Sequence, residues 1–203
     1  MKIGIMGGTF DPIHNGHLML GEYAYHNFKL DEVWFLPNGN PPHKDDPYIR
    51  KDTDERVKMT ELAIEEVPYF RLSTYETDRM EPSYSYKTME HFRMVYPQHS
   101  FYFIIGADSL FSIESWKCVD RFLKTSFILA AYRDDADTPK EMNRQIQYLN
   151  RKYTCDIRLL RTPILPVSSH EIRRMIGEGH YENLPIPPKV AAYIQERQLY
   201  QGE

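Results

Sequence analysis

Residues 7–17 read GGTFDPIHNGH. Two glycines open the stretch, and two histidines, His14 and His17, close it. The apolar run KIGIM (2–6) precedes it and LMLGEYAYHNF follows, so it lies where a strand hands over to a helix. Gly7 and Gly8 let the backbone approach a ligand with no Cβ in the way. A helix start offers unpaired N–H groups and the positive end of the helix dipole, a ready anion site. His14 and His17, at i and i+3, share one face of that helix and can donate hydrogen bonds to phosphate oxygens. Together these features read as a cradle for a nucleotide triphosphate. Blander readings stand beside it: a glycine pair as a tight turn, or a histidine as a helix cap. Asp11 beside the two histidines raises a metal site as a third reading, ranked lower because no clear third and fourth ligand is offered. The stretch is neither GxGxxG nor GxxxxGK[ST], so no dinucleotide fingerprint or P-loop follows.

The elements that position these residues alternate along the chain. Strands are expected at 2–6, 32–38, 70–77, 100–106, 127–133 and 156–162. Helices are expected from 14 to 27 and at 53–67, 84–97, 118–125, 139–153, 168–179 and 187–200. In the 53–67 helix, Val57, Leu62, Ala63 and Val67 are expected to face inward. NGNPPHKDDP (38–47) reads as a loop from its dipeptides. The alternation implies right-handed βαβ crossovers in an α/β architecture: a doubly wound, mostly parallel sheet with helices on both faces and a small C-terminal helical part. Residues 1–203 read as one domain, with no repeat or linker. Ligands of such sheets bind beyond the carboxyl ends of the strands. That points to Gly7, Gly8, Thr9 and Phe10 after the first strand, PNGNPPHK after the second, Gly106 and Asp108 after the fourth, and the start of the 168 helix.

The balance of 25 Lys+Arg against 29 Asp+Glu, with no long block of one sign, gives no reason to expect a nucleic acid or a membrane surface as partner. Neither a signal-peptide core nor a membrane span is visible, and Cys118 and Cys155 suggest neither a disulfide framework nor a zinc knuckle. A cytoplasmic location is the expectation. The sequence leaves the oligomeric state open, a homodimer included.

GGTFDPIHNGH, containing His14-Asn15-Gly16-His17, resembles the signature of the HxGH nucleotidylyltransferase superfamily, and VSSHEIR (167–173) resembles its second signature. LPNGNPPHK (36–44), PSYSYKT (82–88), IIGADSL (104–110) with Trp116 behind it, and PPKVAAYIQERQLY at the end resemble bacterial nicotinate mononucleotide adenylyltransferases. The likeness spans residues 2 to 200. It implies a Rossmann-like fold and transfer of the adenylyl group of ATP to nicotinate mononucleotide, with Mg²⁺ carried in on the ATP and no protein metal site. The products are deamido-NAD and pyrophosphate.

The resemblance also implies roles. The nucleophile is a phosphate monoester with a second pKa near ~6, so no general base is needed. Catalysis is then positioning and charge stabilisation around an in-line displacement. His14, His17, Lys44 and Arg173 carry it. Gly7, Gly8, Thr9, Phe10, Gly106, Asp108, Ser168 and Ser169 hold ATP, with Asp108 accepting from ribose hydroxyls or capping a helix. Asn38, Ser85, Tyr86, Trp116 and Arg133 take the mononucleotide: Trp116 stacks on the cationic pyridine ring, and N–H groups near Ser85 and Tyr86 hold the carboxylate. Donors favour a carboxylate over an amide. Two positions depart from the pattern. His170 replaces a hydroxyl, and Lys117 stands where the family often has tyrosine. The alternatives are a relative acting on nicotinamide mononucleotide or pantetheine phosphate, a cytidylyl transferase, a non-catalytic nucleotide sensor, and a metal hydrolase built on Asp11, His14 and His17.

Overall fold

A computed structural model describes residues 1–40, 53–133, 138–163 and 166–201. Six strands form one parallel sheet: β1 (Lys2–Gly8), β2 (Glu32–Pro37), β3 (Phe70–Leu72), β4 (Ser100–Gly106), β5 (Phe127–Arg133) and β6 (Ile157–Thr162). Their order is β3-β2-β1-β4-β5-β6, so the winding reverses between β1 and β4. A crevice opens past the carboxyl ends of those two strands. Eight helices are described: α1 (Asn15–Phe28), α2 (Thr53–Ile64), α3 (Ser85–Val95), α4 (Ala107–Ser112), α5 (Val119–Leu123), α6 (Thr138–Tyr153), α7 (Ser169–Gly177) and α8 (Pro188–Arg197). None of them is long and apolar enough to cross a membrane.

The strands are buried on both faces, as parallel sheets require. Ile3, Ile5, Phe101, Phe103 and Ile128 point to one core, with Phe92, Phe122, Met142 and Leu149 from helices on that side. Met6, Val33, Phe35, Ile104 and Leu129 point to the other, against Ala24, Met59, Ile172, Val190 and Ile194. The α/β expectation holds, with three corrections. β1 continues through both glycines, pairing Gly7 with Leu36 and Gly8 with Pro37. β3 stops at Leu72, because Thr74–Asp78 closes into a turn in which the Asp78 N–H donates to the Thr74 carbonyl at 2.9 Å. The inward face of α2 is Arg56, Met59, Thr60, Ala63 and Ile64, whereas Val57, Leu62 and Val67 are only partly buried.

Candidate active site

A cavity of about 610 Å³ occupies the crevice. Gly7 and Gly8 from β1, Asn38 behind β2, Gly106 closing β4 and Thr162 closing β6 all reach its wall. So do His14, Tyr84 and Ser168, the residues that precede the first turns of α1, α3 and α7. Three helices of nine residues or more therefore present their N-terminal ends to one space. Such ends attract negative charge.

The two histidines face each other on that wall. Their rings stack with centroids 3.6 Å apart and planes 20° apart. The His14 backbone N–H donates to His17 Nδ1 at 3.3 Å, so a neutral His17 carries its proton on Nε2 as a donor. Phe10 sets its edge against the His17 ring at 5.0 Å from a backbone at φ 51°. A Cβ on Gly8 would come within 2.7 Å of the Phe10 ring. The glycine at position 8 thus has an internal reason: it makes room for the side chain that props His17.

Burial first, then the facing His14 ring, holds the His17 imidazole well below its ordinary value of 6.5. The unfolded chain takes up that proton near pH ~6.5 while the folded protein refuses it, so this contribution to stability is lost as pH falls below ~6.5 toward the folded value. Urea midpoints of the wild type should fall more steeply than those of His17→Gln between about pH 7.5 and 5.5. Parallel curves for the two proteins would contradict it.

Two buried ionisable residues absent from the sequence reading organise the floor. Arg56 is 0% exposed; its Nη1 donates to the Thr9 carbonyl at 2.6 Å and its Nη2 to the Asn38 carbonyl at 2.8 Å. One guanidinium thereby ties the loop after β1 to the loop after β2. Glu76 is 5% exposed, lines the cavity and accepts from the Thr88 hydroxyl at 2.7 Å. Burial pushes its carboxyl above the usual range, and the Thr88 and Ser83 hydroxyls pull it back in part. A Cβ on Gly39 would lie 2.0 Å from the Glu76 carbonyl oxygen, so backbone meets backbone there. Gly39→Ala forces these segments apart. It should cost about 1–3 kcal/mol and lower the melting temperature by roughly 2–12 °C, read by scanning calorimetry.

At the start of α7, Ser168 caps the helix by accepting from the Glu171 N–H at 3.2 Å. Ser169 donates to the Pro12 carbonyl at 3.0 Å, fastening α7 to the turn before α1. Arg173 donates to the Asp11 carbonyl at 2.6 Å. The Asp11 carboxylate lies 3.7 Å from Arg173 through one oxygen and accepts from the Tyr200 hydroxyl at 2.7 Å through the other. Asp11 is thus committed to Arg173 and Tyr200, where the metal-site reading needed it beside the histidines.

On the far wall Trp116 lines the cavity while its ring packs on Phe122 at 5.3 Å and Phe103 at 6.4 Å, so it serves core and cavity together. Asn38, Ser85 and Tyr86 reach the same space. Thr9 does too. Asp108 is exposed in the first turn of α4 and is not on the wall, where its neighbour Ser109 is. His170 is exposed. Arg133 closes β5 with its backbone, and its side chain lies outside the described residues, as does Lys44 with its PPHK segment.

Comparison with known proteins adds independent findings. A family model described as cytidylyltransferase-like matches residues 5–175. A probable nicotinate-nucleotide adenylyltransferase of Lachnoclostridium phytofermentans is 40% identical over 199 residues, covering 98% of each chain. One from Clostridium tetani is 40% identical over 201 residues, again 98% of each. The solved structure of Plasmodium falciparum nicotinic acid mononucleotide adenylyltransferase complexed with NaAD superposes with a TM-score of 0.73 at 22% identity, covering 98% of this chain and 97% of that one. At that identity the likeness is one of fold.

Proposed function

Because the chain belongs to the nicotinate-nucleotide adenylyltransferases of the cytidylyltransferase-like family, we propose that it joins ATP to nicotinate mononucleotide, yielding deamido-NAD and pyrophosphate for NAD biosynthesis. ATP enters as its magnesium complex. The observation that carries the reading is the stacked His14–His17 pair at the head of α1, set in a cavity onto which three helix N-termini open.

An oxygen of the mononucleotide phosphate attacks the α-phosphorus, and the bond from that phosphorus to the bridging oxygen of pyrophosphate breaks. The attacking phosphate is already largely ionised at neutral pH, since its second pKa is near ~6. No side chain has to remove a proton. The protein aligns the two phosphates and stabilises charge as it develops on the departing pyrophosphate. His17 does so through Nε2–H and His14 from the stacked ring beside it. Arg173, which fastens α7 to the Asp11 carbonyl, holds the triphosphate together with Lys44. The N–H groups that open α7 at Ser168 and Ser169, and the backbone of Gly7–Phe10, receive phosphate oxygens. Gly106 and the first turn of α4 behind it take the adenosine side, with Ser109 rather than Asp108 on the wall. Trp116 offers its indole face to the cationic ring, and Ser85, Tyr86 and Asn38 meet the ring substituent. Arg133 pairs the mononucleotide phosphate.

The test is pyrophosphate release with ATP and Mg²⁺ in parallel reactions supplied with nicotinate mononucleotide, nicotinamide mononucleotide or pantetheine phosphate. Release with the first, far above the other two, is expected. Release only with pantetheine phosphate would overturn the acceptor assignment, and release with none would overturn the reaction.

A further inference from the structure

Among the described residues, four acidic or basic side chains line the cavity: His14, His17, Glu76 and Lys117. The histidines belong to the triphosphate end. Lys117 lines the cavity next to Trp116 and Tyr84. We propose that the Lys117 ammonium selects for an acidic substituent on the acceptor's ring, pairing with its carboxylate at the Tyr84–Tyr86 end of the cavity. This rests on the adenylyl transfer proposed above and adds a specificity-determining residue to it.

The backbone holds Lys117 in place from both sides. The Trp116 N–H donates to the Ile113 carbonyl at 3.0 Å, and Cys118, at φ 54°, precedes the first turn of α5. The Lys117 ammonium lies 4.5 Å from the centroid of the Tyr84 ring. Tyr84 is the residue before α3, whose N-terminal end also attracts negative charge. Four residues on, Arg121 makes the same kind of contact with Tyr86, at 4.7 Å. Its charge is spent on Glu90, which it grips with two hydrogen bonds of 2.8 and 2.6 Å. Lys117 has no such carboxylate among the described residues.

Glu76 lines the same cavity, and its Oε2 is buried without a hydrogen bond. Burial raises that carboxyl above its ordinary range, and no ion pair joins it to Lys117 among the described residues. The Trp116 wall takes a flat ring. Beside it the cavity offers an ammonium over the ring of the residue that opens α3. A carboxylate satisfies that ammonium, whereas a carboxamide sets its own N–H donors against it. Tyrosine at position 117 would supply no charge there.

The experiment measures affinity for nicotinate and nicotinamide mononucleotides by calorimetry, with KM and kcat for each, in the wild type, Lys117→Met, Lys117→Glu and Lys117→Arg. Lys117→Met should weaken nicotinate mononucleotide by about tenfold and the amide by less than about threefold, with the change in KM exceeding that in kcat. Lys117→Glu should narrow the preference further, and Lys117→Arg should restore most of it. Added salt should erode the wild-type preference more than that of Lys117→Met. An unchanged ratio of the two affinities in Lys117→Met and Lys117→Glu would overturn the proposal. Wild-type protein that releases no pyrophosphate with either acceptor would overturn the reaction instead, and the affinity ratio would still report on Lys117.

Discussion

His17→Ala should lower turnover by about 10²–10³-fold while the protein melts as a folded chain. The expected loss follows from where the imidazole sits. Nδ1 is engaged by the His14 N–H, so Nε2–H is the donor that remains for a phosphate oxygen. The Phe10 edge and the His14 face restrict the ring to one orientation, which removes reorganisation at the moment of reaction. A donor placed for the developing charge acts on kcat more than on KM. The rings are in contact, so the double variant His14→Ala, His17→Ala should lose less than the product of the two single losses. Initial rates of pyrophosphate release at saturating substrates measure both. Turnover of His17→Ala within threefold of wild type would remove His17 from catalysis, provided its melting curve matches.

The histidine pair was legible because its information is local. The structure corrects the route: His14 is the extended N-cap of α1 and His17 its third residue, so the two meet across the first turn as a capping box rather than on one helical face. β4 and β5 fall where the apolar runs SFYFIIG and FILAAYR place them, since such runs suit strands buried on both faces. Boundaries set by tertiary pairing were less legible. FRLSTYET carries strand-forming residues throughout, yet β3 has a partner only along Phe70–Leu72, and the remainder turns back toward the cavity to deliver Glu76. The stop signal read into Gly7 and Gly8 failed because β2 continues alongside them.

Glu76 and Arg56 were illegible for a related reason. Each acts on a segment distant in sequence, Glu76 on Thr88 and Arg56 on Thr9 and Asn38. One signal was available. Met59, Ala63 and Ile64 make a better inward stripe for α2 than Val57, Leu62 and Val67, and Arg56 lies on that stripe. An arginine on the core face of an amphipathic helix marks a buried cation that must be satisfied.

Arg56→Met carries the largest expected effect on stability. Methionine fills much of the same length and keeps the helix, but donates nothing. The Thr9 and Asn38 carbonyls lose hydrogen bonds of 2.6 and 2.8 Å from a charged donor. Losing charge-assisted bonds of this kind at a buried position leaves their acceptors unpaired, a cost of about 3–5 kcal/mol. For a chain of this size that is a fall in melting temperature of roughly 6–20 °C. Arg56→Lys should recover only part of it, because one ammonium does not present two divergent donors in the plane that the guanidinium spans. The consequence for activity separates this residue from an ordinary core position. Thr9, assigned above to ATP, and Asn38, assigned to the mononucleotide, both line the cavity, so loosening Arg56 disturbs both substrate sites at once. In Arg56→Lys, assayed well below its melting temperature, KM should rise for ATP and for the mononucleotide together. A rise in one alone, or normal kinetics in a merely less stable protein, would confine Arg56 to the core.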